Sequence, residues 1–578
     1  MERWIVDTEP SERFPIYTRG NADEVGPEPF TPLNWTLMWE QGIVPGTAWG
    51  WIHLGTFTED EFLWSAPETY GSWGGYFYNQ VSVGRVFGYR MPGASPDAID
   101  ASFFGGNPVV PPFVPDPRDD NEECSARLAE SMGAILAGSQ VELLEEFLER
   151  AREFRNSRPD LSAVSDSELV DYGRTSAKWQ NPGWDTYAQV VIGTTVGPAI
   201  VQQIADAVGR PELTIDIFAA LGEVESAGIP LRIWELSRMV RASEAITTEF
   251  DRGVEGIGSR LRELPPAESF NMAFDDLLET YGHRGLNEWE ISAPTWLIEP
   301  ELAYSMIDRV RRQDDAQSPI VRAGVAAAAR EAAVAELTAL VSGDEQTAGT
   351  LAAGIASGQT AYRLREAGKD ACVMLAQEPK LAFRELGRRM AQRGALADEA
   401  HVFMLTDAEL DEFLADPTSW TTLLADRYNQ YLLLGTKEPP YIVQRGEPIP
   451  PWHEWPDRST PKAVEAAGVG TTLSGIPGSP GEVTARTRVI TDLSQADELQ
   501  PGEVLVCTTT DPSWVPLFMI ASAVVCEIGA PASHAVIVSR EIGVPCVVSV
   551  RRARHLLPTG TTVRVDGSHG TVEVTHLS

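Results

Sequence analysis

Residues 526–546 read CEIGAPASHAVIVSREIGVPC, and the reading of this stretch decides the fold of the C-terminal part of the chain. Upstream, 522–529 is a short row of strand formers closed by Gly529. Downstream, Ala535, Val536, Ile537, Val538 and Ile542 give a helix-length apolar segment that stops at Gly543, with Pro545 just beyond. Ser533 is a fitting N-cap and puts His534 in the first turn. There the unpaired backbone N–H groups and the positive end of the helix dipole favour an anion. A histidine so placed can carry a phosphoryl group, with Arg540 one to two turns on as a fixed positive charge. A lone histidine between strand and helix can equally be a structural or surface residue, so the local residues leave two readings open.

The wider pattern bears on that choice. Three runs, TDPSWVPLF at 510–518, EIGAPASHAVIVSREIGVPCVV at 527–548 and VDGSHGTVEV at 565–574, closely resemble the phosphohistidine swivelling domain of the phosphoenolpyruvate-utilising enzymes. That family includes the rifampin phosphotransferases and phenylphosphate synthase. The resemblance implies that His534, in the SHA motif, is the phosphorylated residue, with Ser533 and Arg540 close to the phosphate. One departure is visible: Gly529-Ala530 stands where the family usually has Gly-Gly, so Ala530 brings a Cβ to a tight loop.

Composition bounds the rest. At 578 residues the chain is too long for one ordinary core, and two or three domains are expected. The hydrophobic fraction of 43% is that of a soluble globular protein. No apolar run of spanning length is present, and the N-terminal MERWIVDTEPSERF lacks a signal-peptide core, so a cytoplasmic protein without membrane contact is expected. A net charge of -37 argues against nucleic-acid binding, because a polyanion would be repelled. Five scattered cysteines with no C-x-x-C pair suggest neither a disulfide framework nor a metal site.

Residues 1–115 are rich in aromatics, Gly and Pro. The stretch 76–89, YFYNQVSVGRVFGY, reads as extended with a bulge or turn at Gly84. Trp35, Trp39, Trp49, Trp51, Trp64 and Trp73 form either a bulky core or a wall for a flat aromatic ligand. From 122 to 437 the apolar spacing becomes helical, with a long amphipathic helix expected through Leu128, Met132, Ile135, Leu136, Leu144, Phe147 and Leu148, and a second stripe through Val325, Val334, Leu337, Leu340 and Val341. In 401–414, HVFMLTDAELDEFL, a short strand and then a helix with a Thr406–Glu409 capping box are expected. Residues 438–470 are dense in Pro and read as an extended linker rather than a packed segment. The last hundred residues switch to short Val-rich strands with two helices, a compact α/β pattern.

Two internal segments carry polar clusters. YGHRGLNEWEISAPTW at 281–296 places His283, Arg284, Glu288 and Glu290 together, either as a general base beside a charge clamp or as a solvated loop. YRLREAGKD at 362–370 puts Arg365 and Lys369 on one helix face, beside Glu366, either to receive a phosphate or as a salt-bridged surface. Both segments resemble the substrate domain of the same family, as does 19–37, where Asn21, Glu24 and Thr31 are the polar members of an NxxEV…TPL run. The resemblance implies site roles for His283 and Glu288 in proton transfer, and for Arg284, Arg365, Glu366, Lys369, Asn21 and Glu24 in phosphate or substrate binding.

The expected fold is multidomain α+β. It comprises an acceptor-binding domain over 1–437 (aromatic-rich 1–115, helical 122–437), a Pro-rich linker at 438–470 and a small α/β swivelling domain over 471–578. Family members load the histidine from an ATP-grasp module or from a phosphoenolpyruvate barrel, and neither pattern is found in this sequence. The layout resembles the His-bearing subunit of phenylphosphate synthase. The resemblance therefore implies ATP and Mg2+ bound mainly by a separate ATP-grasp-type kinase subunit, and transfer from His534 to a hydroxyl of a small organic, phenolic or aromatic acceptor. Two alternatives stay open. One is a non-catalytic binding or regulatory protein that retains the swivelling fold; the other is the activating component of a larger carboxylase-type complex.

Overall fold

The computed structural model describes residues 3–104, 110–222, 224–315, 318–458, 465–510, 514–530 and 533–577, without the side chains of residues 24, 101–103, 226, 227 and 494. The chain divides into two compact units, Met1–Ile192 with Asn287–Ala293 and Gly368–Lys462, and Gly193–Leu286 with Pro294–Ala367 and Ala463–Ser578. This grouping cuts across the boundaries drawn from composition, because the segments at 287–293 and 368–462 return to the first unit.

The first unit holds a four-stranded antiparallel sheet in the order β2-β3-β1-β4, made by β1 (Ile16–Thr18), β2 (Tyr70–Trp73), β3 (Tyr76–Gln80) and β4 (Ile442–Gln444). The β2–β3 hairpin turns on Gly74 and Gly75, with φ of 59° and 75° between paired Trp73 and Tyr76. Two consecutive positive φ values are what a tight hairpin of this hand needs, and Gly supplies them without a Cβ clash. Next to the sheet, helix α1 (Val44–His53) meets helix α3 (Gln180–Ala207) through small residues. A Cβ on Gly46 would stand 2.4 Å from the Asn181 carbonyl oxygen, and one on Gly50 would stand 2.5 Å from Ala188 Cβ. Backbones this close admit only glycine.

Three expectations for this unit are corrected. Residues 76–89 are strand only as far as Gln80; helix α2 (Val81–Arg90) follows. The Gln80 side chain accepts from Ser82 N–H and caps it, and Val83, Val86, Phe87 and Arg90 are buried at helical spacing. The strand expected before Thr406 is a 3-10 helix, Glu399–Met404, although the Thr406–Glu409 capping box forms as read. The described part of the Pro-rich segment is packed rather than a bare linker. Its β4 pairs with β1, and Val443 and Trp455 are buried. Proline tolerates an edge strand, where one side of the backbone needs no partner.

The second unit contains a helical body and an eight-stranded sheet. The sheet comprises β5 (Thr472–Ser474), β6 (Ile476–Ser479), β7 (Glu482–Val489), β8 (Val504–Cys507), β9 (Ala523–Cys526), β10 (Cys546–Val548), β11 (Thr562–Asp566) and β12 (Thr571–His576). Their order is β5-β12-β11-β7-β8-β9-β10-β6, and β7 to β10 run parallel. Every residue of β8, β9 and β10 is buried, as parallel strands covered on both faces require. Cys507, Cys526 and Cys546 lie in these strands as small buried side chains.

In the helical body, the stripe on helix Pro319–Val341 is narrower than expected. Ala333, Leu337 and Val341 are buried against Val201, Ala205 and Leu213, whereas Val325 and Leu340 are 69% and 50% exposed. Positions four apart share one face, and the other two point elsewhere. A 48-residue helix, α4 (Glu345–Gln392), carries the 362–370 segment.

Candidate active site

Parallel pairing decides what meets His534. Strands β8 and β9 are neighbours with Cys507 opposite Cys526, so the segments leaving their carboxyl ends emerge side by side. Ligand sites of open α/β sheets form at this edge. Thr510 follows β8, while His534 follows β9 as the first residue of helix α6 (His534–Ile542). Thr510 Oγ1 lies 3.2 Å from His534 Nδ1. The Phe518 ring, on helix α5 (Val515–Ile520), stands edge-on to the imidazole at 6.0 Å between centroids. His534, Thr510 and Phe518 are all buried.

The start of α6 has the features expected of an anion site. Ser533 takes the N-cap position with an extended backbone, φ -71° and ψ 160°, and Gly543 closes the helix in the left-handed region at φ 65°. The Ser533 side chain does not cap the helix; its Oγ is buried with no hydrogen-bond partner among the described residues. An unpaired buried hydroxyl beside a helix N-terminus suits a phosphate oxygen. Gly529 makes room for it: a Cβ there would meet Val548 Cβ at 2.8 Å and Ser533 Oγ at 3.2 Å. The Ser549 hydroxyl donates to the Gly529 carbonyl at 2.6 Å, fixing the loop from the next strand.

Arg540 is engaged elsewhere. Its Nε donates to the Gly478 carbonyl at 2.6 Å, and its guanidinium lies 5.8 Å from the centre of the Tyr362 ring. Six residues along a helix turn a side chain about 120° away from the first one. Arg540 therefore ties α6 to β6 rather than pointing along the face of His534.

The remaining sequence candidates fall into the two units. In the second, His283 and Arg284 are each 2% exposed, in a loop closed by the Gly285–Thr295 bridge and by Trp296 N–H donating to the Arg284 carbonyl. Arg365 forms an ion pair with its neighbour Glu366. In the first unit, Lys369 Nζ stands 3.8 Å from Glu288, so these two candidates are brought together. Asn21 adopts the left-handed conformation at the start of the short helix Ala22–Val25, without a side-chain cap bond. The side chain of Glu24 lies outside the described residues.

Around Glu288 the first unit holds a buried polar centre. The Glu290 carboxylate accepts from Thr31 N–H at 2.9 Å, Thr31 Oγ1 at 2.8 Å and Ser292 N–H at 2.8 Å. Burial pushes this carboxyl up, against those donors. Lys380 is fully buried and donates to the Glu290 carbonyl at 2.7 Å; burial brings its ammonium down to about 8. Lys380 lies eleven residues, three turns, after Lys369 on α4, and so shares its face. That spacing was the available signal for Lys380. Thr510 and Phe518 bound the run 510–518, but nothing in their own residue types marked them out.

The tryptophans are mainly core. Trp35, Trp39 and Trp73 are 0–1% exposed, and Trp35 stacks on Trp39 at 5.9 Å. Trp64 is 45% exposed, stacks on Trp49 at 4.9 Å, and lines a cleft with Phe62, Glu40 and Glu68. Among the described residues, no helix is long and apolar enough to cross a membrane.

Comparison with known proteins gives two family matches and several relatives. Residues 499–570 match the family model of the PEP-utilising enzyme mobile domain, and residues 187–366 match that of the rifampicin phosphotransferase fourth domain. A rifampicin phosphotransferase of Streptomyces sviceus is 29% identical over 363 residues, which is 62% of this chain and 40% of the relative. A prodigiosin synthesizing transferase of Serratia marcescens is 30% identical over 370 residues, 62% of this chain and 39% of the relative. An uncharacterised protein of Mycobacterium tuberculosis is 31% identical over 322 residues, 56% of this chain and 33% of the relative. The chain thus spans well under half the length of these relatives.

Proposed function

We propose that this chain, which carries the mobile domain of the PEP-utilising enzymes and the fourth domain of the rifampicin phosphotransferases, is a phosphotransferase that moves a phosphoryl group through His534. The observation that carries this reading is the combination at the start of α6: a buried imidazole held at Nδ1 by Thr510, with the helix N-terminus and a Ser533 hydroxyl that has no partner among the described residues beside it.

The chemistry follows from the tautomer. With Nδ1–H donating to Thr510 Oγ1, the lone pair sits on Nε2, which is then the nucleophile. A bond forms between Nε2 and phosphorus as the donor's P–O bond breaks. The added charge is met by the first N–H groups of α6 and by Ser533 Oγ. In discharge, an acceptor hydroxyl attacks phosphorus, the N–P bond breaks, and the electron pair returns to Nε2. Such transfer needs in-line placement and charge neutralisation more than covalent help. The hydroxyl proton requires a base; His283 and Glu288 remain the proposed candidates, with Arg284, Arg365 and Lys369 proposed for phosphate charge.

ATP, held with Mg2+ on a separate ATP-binding subunit, is the proposed donor, and a small phenolic or aromatic hydroxyl compound is the proposed acceptor. The aromatic cleft at Trp64 supports the acceptor class. The test is mass spectrometry under conditions that spare phosphohistidine, on the chain incubated with ATP and Mg2+, alone and with lysate of its source. Phosphate on His534, lost in His534→Ala, is expected. Absence of label from His534 in every arm, with a phosphohistidine control intact, overturns the reading.

A further inference from the structure

The turn 220–222 in the helical body makes an unusual set of contacts with α6. All three of its amide groups face the end of that helix. Ala220 N–H donates to the Arg540 carbonyl at 3.2 Å, Leu221 N–H to Glu541 Oε1 at 3.1 Å, and Gly222 N–H to Glu541 Oε2 at 3.2 Å. All three of its carbonyls are held from behind by arginine. Arg330 donates to the Ala220 oxygen, and Arg363 donates to the Leu221 oxygen at 2.8 Å and to the Gly222 oxygen at 3.2 Å. Ala220 and Gly222 both have positive φ, 43° and 63°, and this turns neighbouring N–H groups toward one point. A concave run of N–H groups of this kind binds anions.

We infer that the turn 220–222, backed by Arg330 and Arg363, is a carboxylate seat, and that Glu541 fills it as a releasable latch fixing the phosphocarrier helix in this docked position. Three points favour a latch over ordinary packing. Glu541 is 6% exposed yet sits seven residues after His534 on the same helix, so its position sets that of the imidazole. Its contacts leave the C-terminal sheet altogether and go to the helical body. The seat keeps two cations when Glu541 departs, so it remains an anion site that solvent ions can fill and Glu541 can reclaim. Leu221 also packs with Val224, Ile537 and Tyr362, so the polar latch closes over a small apolar contact that supplies adhesion without direction.

The inference deepens the phosphocarrier reading in its kinetic consequence but does not need it for its test. Amide hydrogen exchange on the full chain, read at 219–224 and at β8–β10, compares wild type with Glu541→Ala, Glu541→Gln and Arg363→Ala. At least tenfold faster exchange at Leu221 and Gly222 is expected in Glu541→Ala, a smaller rise in Glu541→Gln, and a comparable rise in Arg363→Ala, with β8–β10 still protected. Acetate at 100 mM, but not chloride, restores protection in Glu541→Ala. Unchanged exchange in both alanine variants overturns the latch, as does loss of protection spreading through β8–β10 in both. Failure of acetate to restore protection overturns the seat. If the exchange results hold while His534 takes no phosphate, the latch stands and the carrier reading falls.

Discussion

Thr510 and His534 meet side chain to side chain, Oγ1 to Nδ1 at 3.2 Å, across 24 residues of sequence, because β8 and β9 are adjacent parallel strands. The proposed transfer uses the tautomer in which Nδ1–H donates to the Thr510 oxygen and Nε2 is free to attack. Thr510→Val is nearly isosteric and removes that hydrogen bond, so both tautomers become accessible. A hydrogen bond of this kind is worth about 0.5–1.5 kcal/mol, or roughly a tenfold change in rate at the upper end. Phosphohistidine formation on His534 is expected to slow by about three- to tenfold in Thr510→Val and to stay near wild type in Thr510→Ser. Equal rates in all three would remove Thr510 from the site.

Gly529 tests the space beside the histidine rather than its chemistry. Its missing Cβ would stand 2.8 Å from Val548 Cβ, inside a core that has little room to move. Gly529→Ala is expected to lower stability by about 1–3 kcal/mol through overpacking, read as a fall in the denaturant midpoint. Val548→Ala in the same chain should recover only a small part of that loss, because it removes the Cγ1 at 3.1 Å but keeps the Cβ that stands closest.

How much of this was legible in the sequence depends on whether a feature is local or assembled. The helix at 534–542, its stop at Gly543 and the N-cap position of Ser533 are local, and each formed where the residues placed it. The 81–90 helix was hidden because β-branched residues at 81, 83 and 86 suit strands, while the deciding contact is the Gln80 side chain turning back on Ser82 N–H. Thr510 was invisible as a partner because strand order is a long-range property. Glu288 and Lys369 lie 81 positions apart in the chain and pair only in the folded unit; their residue types suggested opposite charges but not their meeting. Arg540 was placed by motif on the phosphate side, yet its position on the helix circumference takes it to Gly478.

In the aromatic-rich part, Glu61 holds two buried guanidiniums. It accepts from Arg90 Nη1 and Nη2 at 2.9 Å each and from Arg13 Nη2 at 3.1 Å, and the Arg90 side chain is 0% exposed. Burial would raise the Glu61 carboxyl, but Arg90, Thr58 N–H and Arg13 together hold it below its ordinary value. Glu61→Ala leaves Arg90 buried without this partner, and breaking such a pair costs about 3–5 kcal/mol. Urea denaturation of the variant should show a loss of that order. A loss below about 1 kcal/mol would mean that water reaches Arg90.

Lys380 gives a pH dependence with a definite sign. Burial lowers its ammonium from 10.5 to about 8, while the unfolded chain keeps the ordinary value. Below pH 8 both states carry the charge, and the folded state bears the cost of burying it. Between about 8 and 10.5 the folded state has released its proton and the unfolded state has not, so stability rises with pH through this window. The gain is complete above 10.5, shrinks as pH falls through the window and is gone below about 8. The separation sets a ceiling of about 3 kcal/mol. Tyrosines and cysteines titrate in the same range, so the measurement is the difference between wild type and Lys380→Met at each pH. Wild type is expected to gain on the variant steadily from pH 7.5 to 10. A flat difference would show that the ammonium is stabilised as fully inside the protein as in water, by Glu290 and its neighbours, and that burial does not govern this lysine.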